Sequence, residues 1–425
     1  MELLPVRRRP IGAIRSESEG QERLTDARNG VVLVNAAIWA HPWDLLDEGP
    51  ESAFERLLNL GITKVNLATT MHSVQTLNPH NPERKTFFAD ASAYFQPDAD
   101  RYGSIEPDPN ETMGEEDWCH RVATAADEIG ITLASWLVPF HSSKQGRRHP
   151  EATIESPFGD SLVWGLCPSN PRVQRYGEAL VADVATGRGF DGVEMELADY
   201  QYGTGYGWHH QEFFTDLGDL GELLFGLCFC EHCLSNARAA GVDVDAARKA
   251  AKTGLEARFD GAIAADTDVG GWLTEHPELR TYAEVRRDTL AELFESFANT
   301  IAPEPFTYYL KMGGLGDDRM SVEHSWKHGL DLERLSEFVN DVTVLAYHSD
   351  PTVVRDDVRT TDSLVDAPVT AGILAGHPIV DSYDQLESQV SAAVSAGASE
   401  LSFYGYGVVP ERNLEWIGTA LESVA

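Results

Sequence analysis

Eight short apolar runs recur along the chain, and a stretch of helical period follows most of them. The runs are Val31–Ala40, Ile62–Thr69, Ile131–Pro139, Gly192–Tyr200, Phe306–Met312, Asp341–His348, Pro368–Ala375 and Glu400–Gly407. Each is rich in Val, Ile, Tyr, Phe or Thr and too short for a buried helix, so each reads as a strand. Between them the 3.6-residue repeat is plain: Phe54, Leu57 and Leu58 stop at Gly61. Trp118, Val122, Ala125 and Ile129 stop at Gly130, and Leu386, Val390 and Val394 stop at Gly397. A glycine just past the last apolar position is the usual helix stop. Eight β-then-α units in a row predict an α/β fold closed as a (β/α)8 TIM barrel. An open doubly wound sheet is the alternative, but no strand is followed by G-x-G-x-x-G.

The length of 425 residues would suggest two or three average domains, but a barrel with insertions reaches that size alone. Residues 30–425 are therefore expected to form one barrel and residues 1–29 an N-terminal arm. Two loops are long, Met71–Gly114 after strand two and residues 201–280 after strand four. Both lie on the carboxyl side of their strands, the face that carries chemistry in such barrels.

Charge narrows the partners. The formal net charge is −35, with seven lysines against 26 arginines. Such an acidic surface repels nucleic-acid phosphates and anionic membranes, so neither is an expected partner. It suits a high-salt cytosol, where screening removes most self-repulsion, and a halophile is the reading. No apolar run approaches the roughly 20 residues that span a bilayer. Arg7, Arg8 and Arg9 precede no long apolar core, so no signal peptide is expected and the location is cytoplasmic.

The fourth run, Gly192-Val-Glu-Met-Glu-Leu-Ala-Asp-Tyr200, is the most informative. Strand side chains alternate faces, so Glu194 and Glu196 share the barrel interior while Val193, Met195 and Leu197 face the helices. Carboxylates placed inside are costly unless paired or used. Glu196, nearer the carboxyl end, is the expected general acid; Glu194 is expected deeper, held by Lys311, Asn35 or Asn66. Asp199 is a third catalytic candidate. Trp39 and His41, His72, Trp136 and His141, His348, and Tyr404 with Tyr406 lie at or just past strand ends. Rings with polar rims suit a sugar, whose C–H faces stack while its hydroxyls hydrogen-bond. These residues, with Asn35, Asn66, His210 and Lys311, form the expected substrate-binding set. His209-His210-x-Glu212 has ligand residue types, but a substrate-contacting loop is the preferred reading.

Five cysteines in an intracellular-looking chain argue against a disulfide framework. Cys228-Phe-Cys230-Glu-His-Cys233 is a C-x-C-x-x-C array, a zinc signal in a reducing compartment. Cys167, just before strand four, is the expected fourth ligand, with His232 as the alternative. Cys119 reads as core. An all-thiolate site leaves no open position, so the zinc would be structural.

This array resembles the zinc-binding cysteine cluster of the family 42 glycoside hydrolases, which are barrel β-galactosidases. Three stretches also resemble a group of glycoside-hydrolase-like barrel proteins. They are His80-Asn-Pro-Glu-Arg-Lys85, Leu166-Cys-Pro-Ser-Asn-Pro171, and Glu196 with Leu227-Cys-Phe-Cys230. The resemblance covers about residues 70–240. It implies a glycosidase acting on a glycoside or oligosaccharide, with the acid/base glutamate ending strand four. The family's nucleophile, at the end of strand seven, has no counterpart: Pro368–Pro378 carries no carboxylate, and Asp381 and Asp384 come later. Glu194, Asp199 and Asp350 are the remaining candidates for that role. Two other functions fit the residues. Lys311 would form a Schiff base in a barrel lyase or isomerase. A barrel without its nucleophile would bind carbohydrate without turnover. The expected partner is a small carbohydrate substrate, and a homo-oligomer is compatible with the chain.

Overall fold

The computed structural model describes residues 25–26, 31–32, 34–114, 118–200, 215–310 and 322–425. Met1–Leu33 form one unit, and Val34–Val424 another. The described feature of the first is an antiparallel pairing of Thr25–Asp26 with Val31–Val32. The apolar run from Val31 to Ala40 thus splits between two pairings, and only its second half is a barrel strand.

The second unit is a closed barrel of eight parallel strands: β1 Asn35–Ala40, β2 Lys64–Met71, β3 Thr132–Leu137, β4 Gly192–Glu196, β5 Phe306–Leu310, β6 Asp341–Leu345, β7 Val369–Leu374 and β8 Glu400–Tyr404. Neighbours in sequence are neighbours in the sheet, and β8 closes on β1. The ring of helices comprises α1 Pro50–Asn59, α2 Trp118–Ile129, α3 Pro171–Ala185, α4 Pro277–Ile301, α5 Leu332–Leu335, α6 Pro351–Leu364, α7 Tyr383–Ala396 and α8 Glu411–Val424. The apolar stripes bury as the period requires: Phe54 and Leu57 in α1, Val122 and Ala125 in α2, Leu386 and Val390 in α7. Gly61, Gly130 and Gly397 all have positive φ, as helix-ending glycines do. No helix among the described residues is long and apolar enough to cross a membrane.

The connections on the carboxyl side are unequal. After β2 comes an antiparallel hairpin, Val74–Leu77 with Thr86–Ala89, and then Ser92–Ala93 pairing back onto β2. After β4, beyond residues 201–214, four helices precede α4: Gly218–Gly226, Glu231–Ala239, Val244–Phe259 and Val269–Glu275. A third long connection, after β3, was not expected. It holds helix Ser143–Arg148 and an antiparallel pair, Thr153–Glu155 with Ser161–Leu166. Its runs are too short to stand out beside eight barrel strands.

The stretches His80–Lys85 and Leu166–Pro171 fasten these connections. The Asn81 side chain accepts from the amides of Glu83 and Arg84, both at 2.9 Å. It donates to the Trp43 carbonyl and to Asp47, while Arg84 pairs with Asp47 at 2.6 Å. The hairpin after β2 is thereby fixed to helix Pro42–Glu48. In the other motif Asn170 caps α3 through the Arg172 amide, and Ser169 meets the Tyr200 hydroxyl at 2.5 Å.

Candidate active site and cysteine cluster

Alternation on β4 places Glu194 and Glu196 inside the barrel, both 1% exposed. Glu194 is held across the interior. The Trp39 indole of β1 donates to one oxygen at 2.5 Å and the Thr343 hydroxyl of β6 to the other at 2.9 Å. The expected partners differ. Lys311 lies outside the described residues. Asn66 donates instead to Ser402, at 3.4 Å. Asn35 opens β1 at the amino-terminal end, where it is exposed, far along the strand from the carboxyl mouth. The charged neighbour of Glu194 is Lys64, which is paired with Glu400 at 2.9 Å. Burial pushes Glu194 up to about 7, against the pull of Lys64, Trp39 and Thr343. Asp341 also rises to about 7, through burial and then the nearby Glu400. Burial alone would lower the Lys64 ammonium, but Glu400, Glu194 and Asp341 outweigh it and the net direction is up.

Glu196 ends β4. The Trp136 indole of β3 donates to its carboxylate at 2.8 Å. Four rings surround this point. Trp39 meets Trp136, Tyr309 and Tyr404 with centroids 5.2–6.3 Å apart, and Trp136 meets Tyr309 and Tyr404 at 6.4 and 6.1 Å. Tyr347 follows at 6.2 Å from Tyr404. Burial first, and then neighbours that include Glu196, raise the phenols of Tyr309, Tyr347 and Tyr404. They stay neutral and keep a proton to donate. The next residue, Leu197, has φ of +56°, a left-handed conformation that costs a leucine roughly 1–2 kcal/mol. Complete burial of its side chain holds it there.

The remaining candidates separate. Asp199 accepts from the Tyr308 hydroxyl at 2.5 Å and faces His328 Nδ1 at 2.9 Å, so both oxygens are engaged on the outer side of β5. Asp350 caps α6 through Thr352. His348 turns to Asp357 of α6, at 2.8 Å. His72 and His141 meet each other, with centroids 4.8 Å apart. His41 stacks on Trp43 and lies 5.9 Å from Trp136. Tyr406 is beyond the end of β8, and its hydroxyl donates to Glu48 at 2.6 Å. His209, His210 and Glu212 lie outside the described residues. Tyr309, Tyr347 and Thr343 were missed by sequence reading. Inward alternation on β5 and β6 signals Tyr309 and Thr343; Tyr347 follows a strand end and carries no such signal.

Cys167, Cys228, Cys230 and Cys233 converge, with their sulfurs all within 4.8 Å of one another. Cys167 Sγ is 3.5 Å from Cys233 and 3.6 Å from Cys228 and from Cys230. Four thiolates about 2.3 Å from a tetrahedral metal would lie about 3.8 Å apart, so the cluster fits one ion. Burial pushes the Cys167 and Cys228 thiols up, while hydrogen bonds from the other three hold Cys230 well down. The Glu155 amide donates to Cys228 Sγ at 3.4 Å, and the Tyr282 hydroxyl to the Cys228 carbonyl at 2.5 Å. The ion would join the connection after β3 to the one after β4. Cys119, in α2, is buried core.

Fold and site together define a (β/α)8 barrel with a carboxylate in an aromatic cage at the carboxyl end of β4. No family model matches the chain, and no curated protein matches its sequence. Among solved structures it is similar to the glycoside hydrolase domain of PgaB (BpsB) from Bordetella bronchiseptica, at 15% identity and a TM-score of 0.56 over 91% of this chain and 99% of that one. It is similar to the polyextremophilic β-galactosidase of the Antarctic haloarchaeon Halorubrum lacusprofundi, at 14% identity and a TM-score of 0.56 over 92% and 58%. Against α-L-fucosidase isoenzyme 2 from Paenibacillus thiaminolyticus the values are 13% and 0.52, and the match spans 92% of this chain but only 49% of that one. At these identities the shared property is the barrel fold.

Proposed function

We propose that the chain is a glycoside hydrolase and that Glu196 is its general acid/base. The observation that carries this is a carboxylate at the carboxyl end of β4, hydrogen-bonded by the Trp136 indole and enclosed by Trp39, Tyr309 and Tyr404. The rings offer faces to a pyranose, and the neutral phenols offer donors to its hydroxyls. Protonated, Glu196 delivers a proton to the leaving oxygen; deprotonated, it takes one from the incoming water. The solved glycosidases of the same fold support the class of reaction. The substrate is a glycoside or oligosaccharide.

The four cysteines would hold zinc, whose preference for tetrahedral thiolate sites they match. It would brace the connections around the mouth and leave the reaction to the carboxylates. Turnover of a panel of aryl glycosides in high salt tests the reading: hydrolysis of at least one is expected, and no hydrolysis by folded protein overturns it.

One observation favours carbohydrate binding without turnover. The segment after β7 presents no carboxylate at the mouth, and the exposed Asp381 is paired with His377 at 3.1 Å. Saturable binding of an oligosaccharide, unaffected by Glu196→Gln and without hydrolysis, would select that reading.

A further inference from the structure

The turn after β1 borders the cage and has no part in the proton transfer above. It carries His41, Trp43 and Asp44, and Tyr94 packs against it with its ring 5.3 Å from Trp43. His41 Nε2, Trp43 Nε1, Asp44 Oδ1 and the Tyr94 hydroxyl are buried and have no hydrogen-bond partner among the described residues. Buried polar groups are nearly always paired, and an orphaned carboxylate oxygen is among the most costly.

The arrangement is specific. His41 and Asp44 are 4% and 3% exposed. Asp44 Oδ2 accepts from the His41 amide at 2.9 Å, so one oxygen fixes the carboxylate and leaves the other unmatched. A Cβ on Gly407 would fall 1.9 Å from Oδ1, so the loop after β8 accommodates this carboxylate only because residue 407 has no side chain. The His41 ring stacks on Trp43 at 4.5 Å and lies 5.9 Å from Trp136, whose indole binds Glu196. Tyr404, a wall of the cage, senses the charges of both Glu196 and Asp44. The orphaned atoms therefore lie one ring away from the proposed acid.

We propose that Asp44 and His41 form a sugar-hydroxyl subsite beside Glu196, with Asp44 Oδ1 accepting from one hydroxyl of a pyranose ring and His41 Nε2 bonding its vicinal neighbour. The inference rests on the glycosidase reading. The carboxylate excludes an anion, and one carboxylate with one imidazole is too few ligands for a resident metal. The neighbouring indole of Trp136 suits the C–H face of a sugar.

The test is direct binding by calorimetry in high salt. The ligands are the methyl pyranosides of galactose, glucose, mannose and fucose, with the monodeoxy analogues of whichever binds. Asp44→Asn is expected to weaken the parent sugar about 10- to 100-fold, the loss of a charge-assisted hydrogen bond. One monodeoxy analogue should bind wild type and Asp44→Asn almost equally, because the hydroxyl that Asp44 reads is gone. A purely structural role would weaken every analogue alike, and that outcome overturns the subsite, as does unchanged binding by the variant. His41→Gln is the second variant, expected to pair in the same way with the neighbouring deoxy analogue, and it decides the matter if Asp44→Asn does not fold. Sugar binding with both variants unaffected would defeat the subsite and leave the glycosidase reading standing. No binding of any of the four sugars by wild type would defeat the subsite, while the glycosidase reading stands or falls on the turnover panel.

Discussion

Glu194 gives the site a measurable pH signature. Its carboxyl ordinarily titrates near 4.5 and is raised to about 7 by burial. The native state therefore keeps a proton that the unfolded chain has lost, so stability falls as pH rises from about 4 to 7. The shift corresponds to roughly 3 kcal/mol. Glu194→Gln carries no titrating group, and the Thr343 hydroxyl can turn to accept from its amide. Denaturant unfolding at pH 5 and pH 8 should show a smaller decline in the variant than in wild type; equal declines would refute the assignment. At this scale the sequence was legible where alternation decides. Glu194, Glu196, Trp39, Trp136 and Tyr404 were all placed by strand position. The partner of Glu194 was not legible, because barrel stagger sets which residue of β1 or β6 faces β4 across the interior. Asn35 was misplaced for a related reason: β1 starts at that residue and not at Val31, which moves it to the opposite end of the barrel.

Among elements, the connections after β3 and β4 depend on the cysteine cluster. Cys167 follows the paired strand Ser161–Leu166, and Cys233 lies in the first turn of helix Glu231–Ala239. Purified protein is expected to carry one zinc per chain by atomic emission. Removing it with a strong chelator, or substituting Cys228→Ser, should lower Tm by on the order of 10 °C, since structural zinc contributes folding free energy directly. A metal-free protein with an unchanged Tm would exclude the assignment. The spacing of Cys228, Cys230 and Cys233 was readable, and so was Cys167, because both segments flank the same strand. The strand pair after β3 was not, since two runs of three and six residues resemble any loop with alternating apolar positions. The ends of α1, α2 and α7 were readable, because Gly61, Gly130 and Gly397 at positive φ mark them chemically as well as structurally.

For the molecule as a whole, the barrel follows from the repetition of one unit, which is why its class was evident without any match in sequence. What the repetition leaves open is the chemistry, which rests on a few side chains at one end. The net charge of −35 acts on the entire molecule. Self-repulsion should destabilise the folded state at low ionic strength and fade as salt shortens the Debye length from about 10 Å at 0.1 M to about 3 Å at 1 M. Thermal unfolding across that range of KCl should show Tm rising and then levelling; a flat or falling Tm would remove the halophilic reading. The central claim, that Glu196 donates the proton to the leaving group, is tested most directly by comparing wild type and Glu196→Gln on two aryl glycosides of the same sugar. One carries phenol, a basic leaving group that needs protonation, and the other dinitrophenol, which does not. A loss of about 10²- to 10⁴-fold is expected on the first and a far smaller one on the second. An equal loss on both, or none on either, would contradict it.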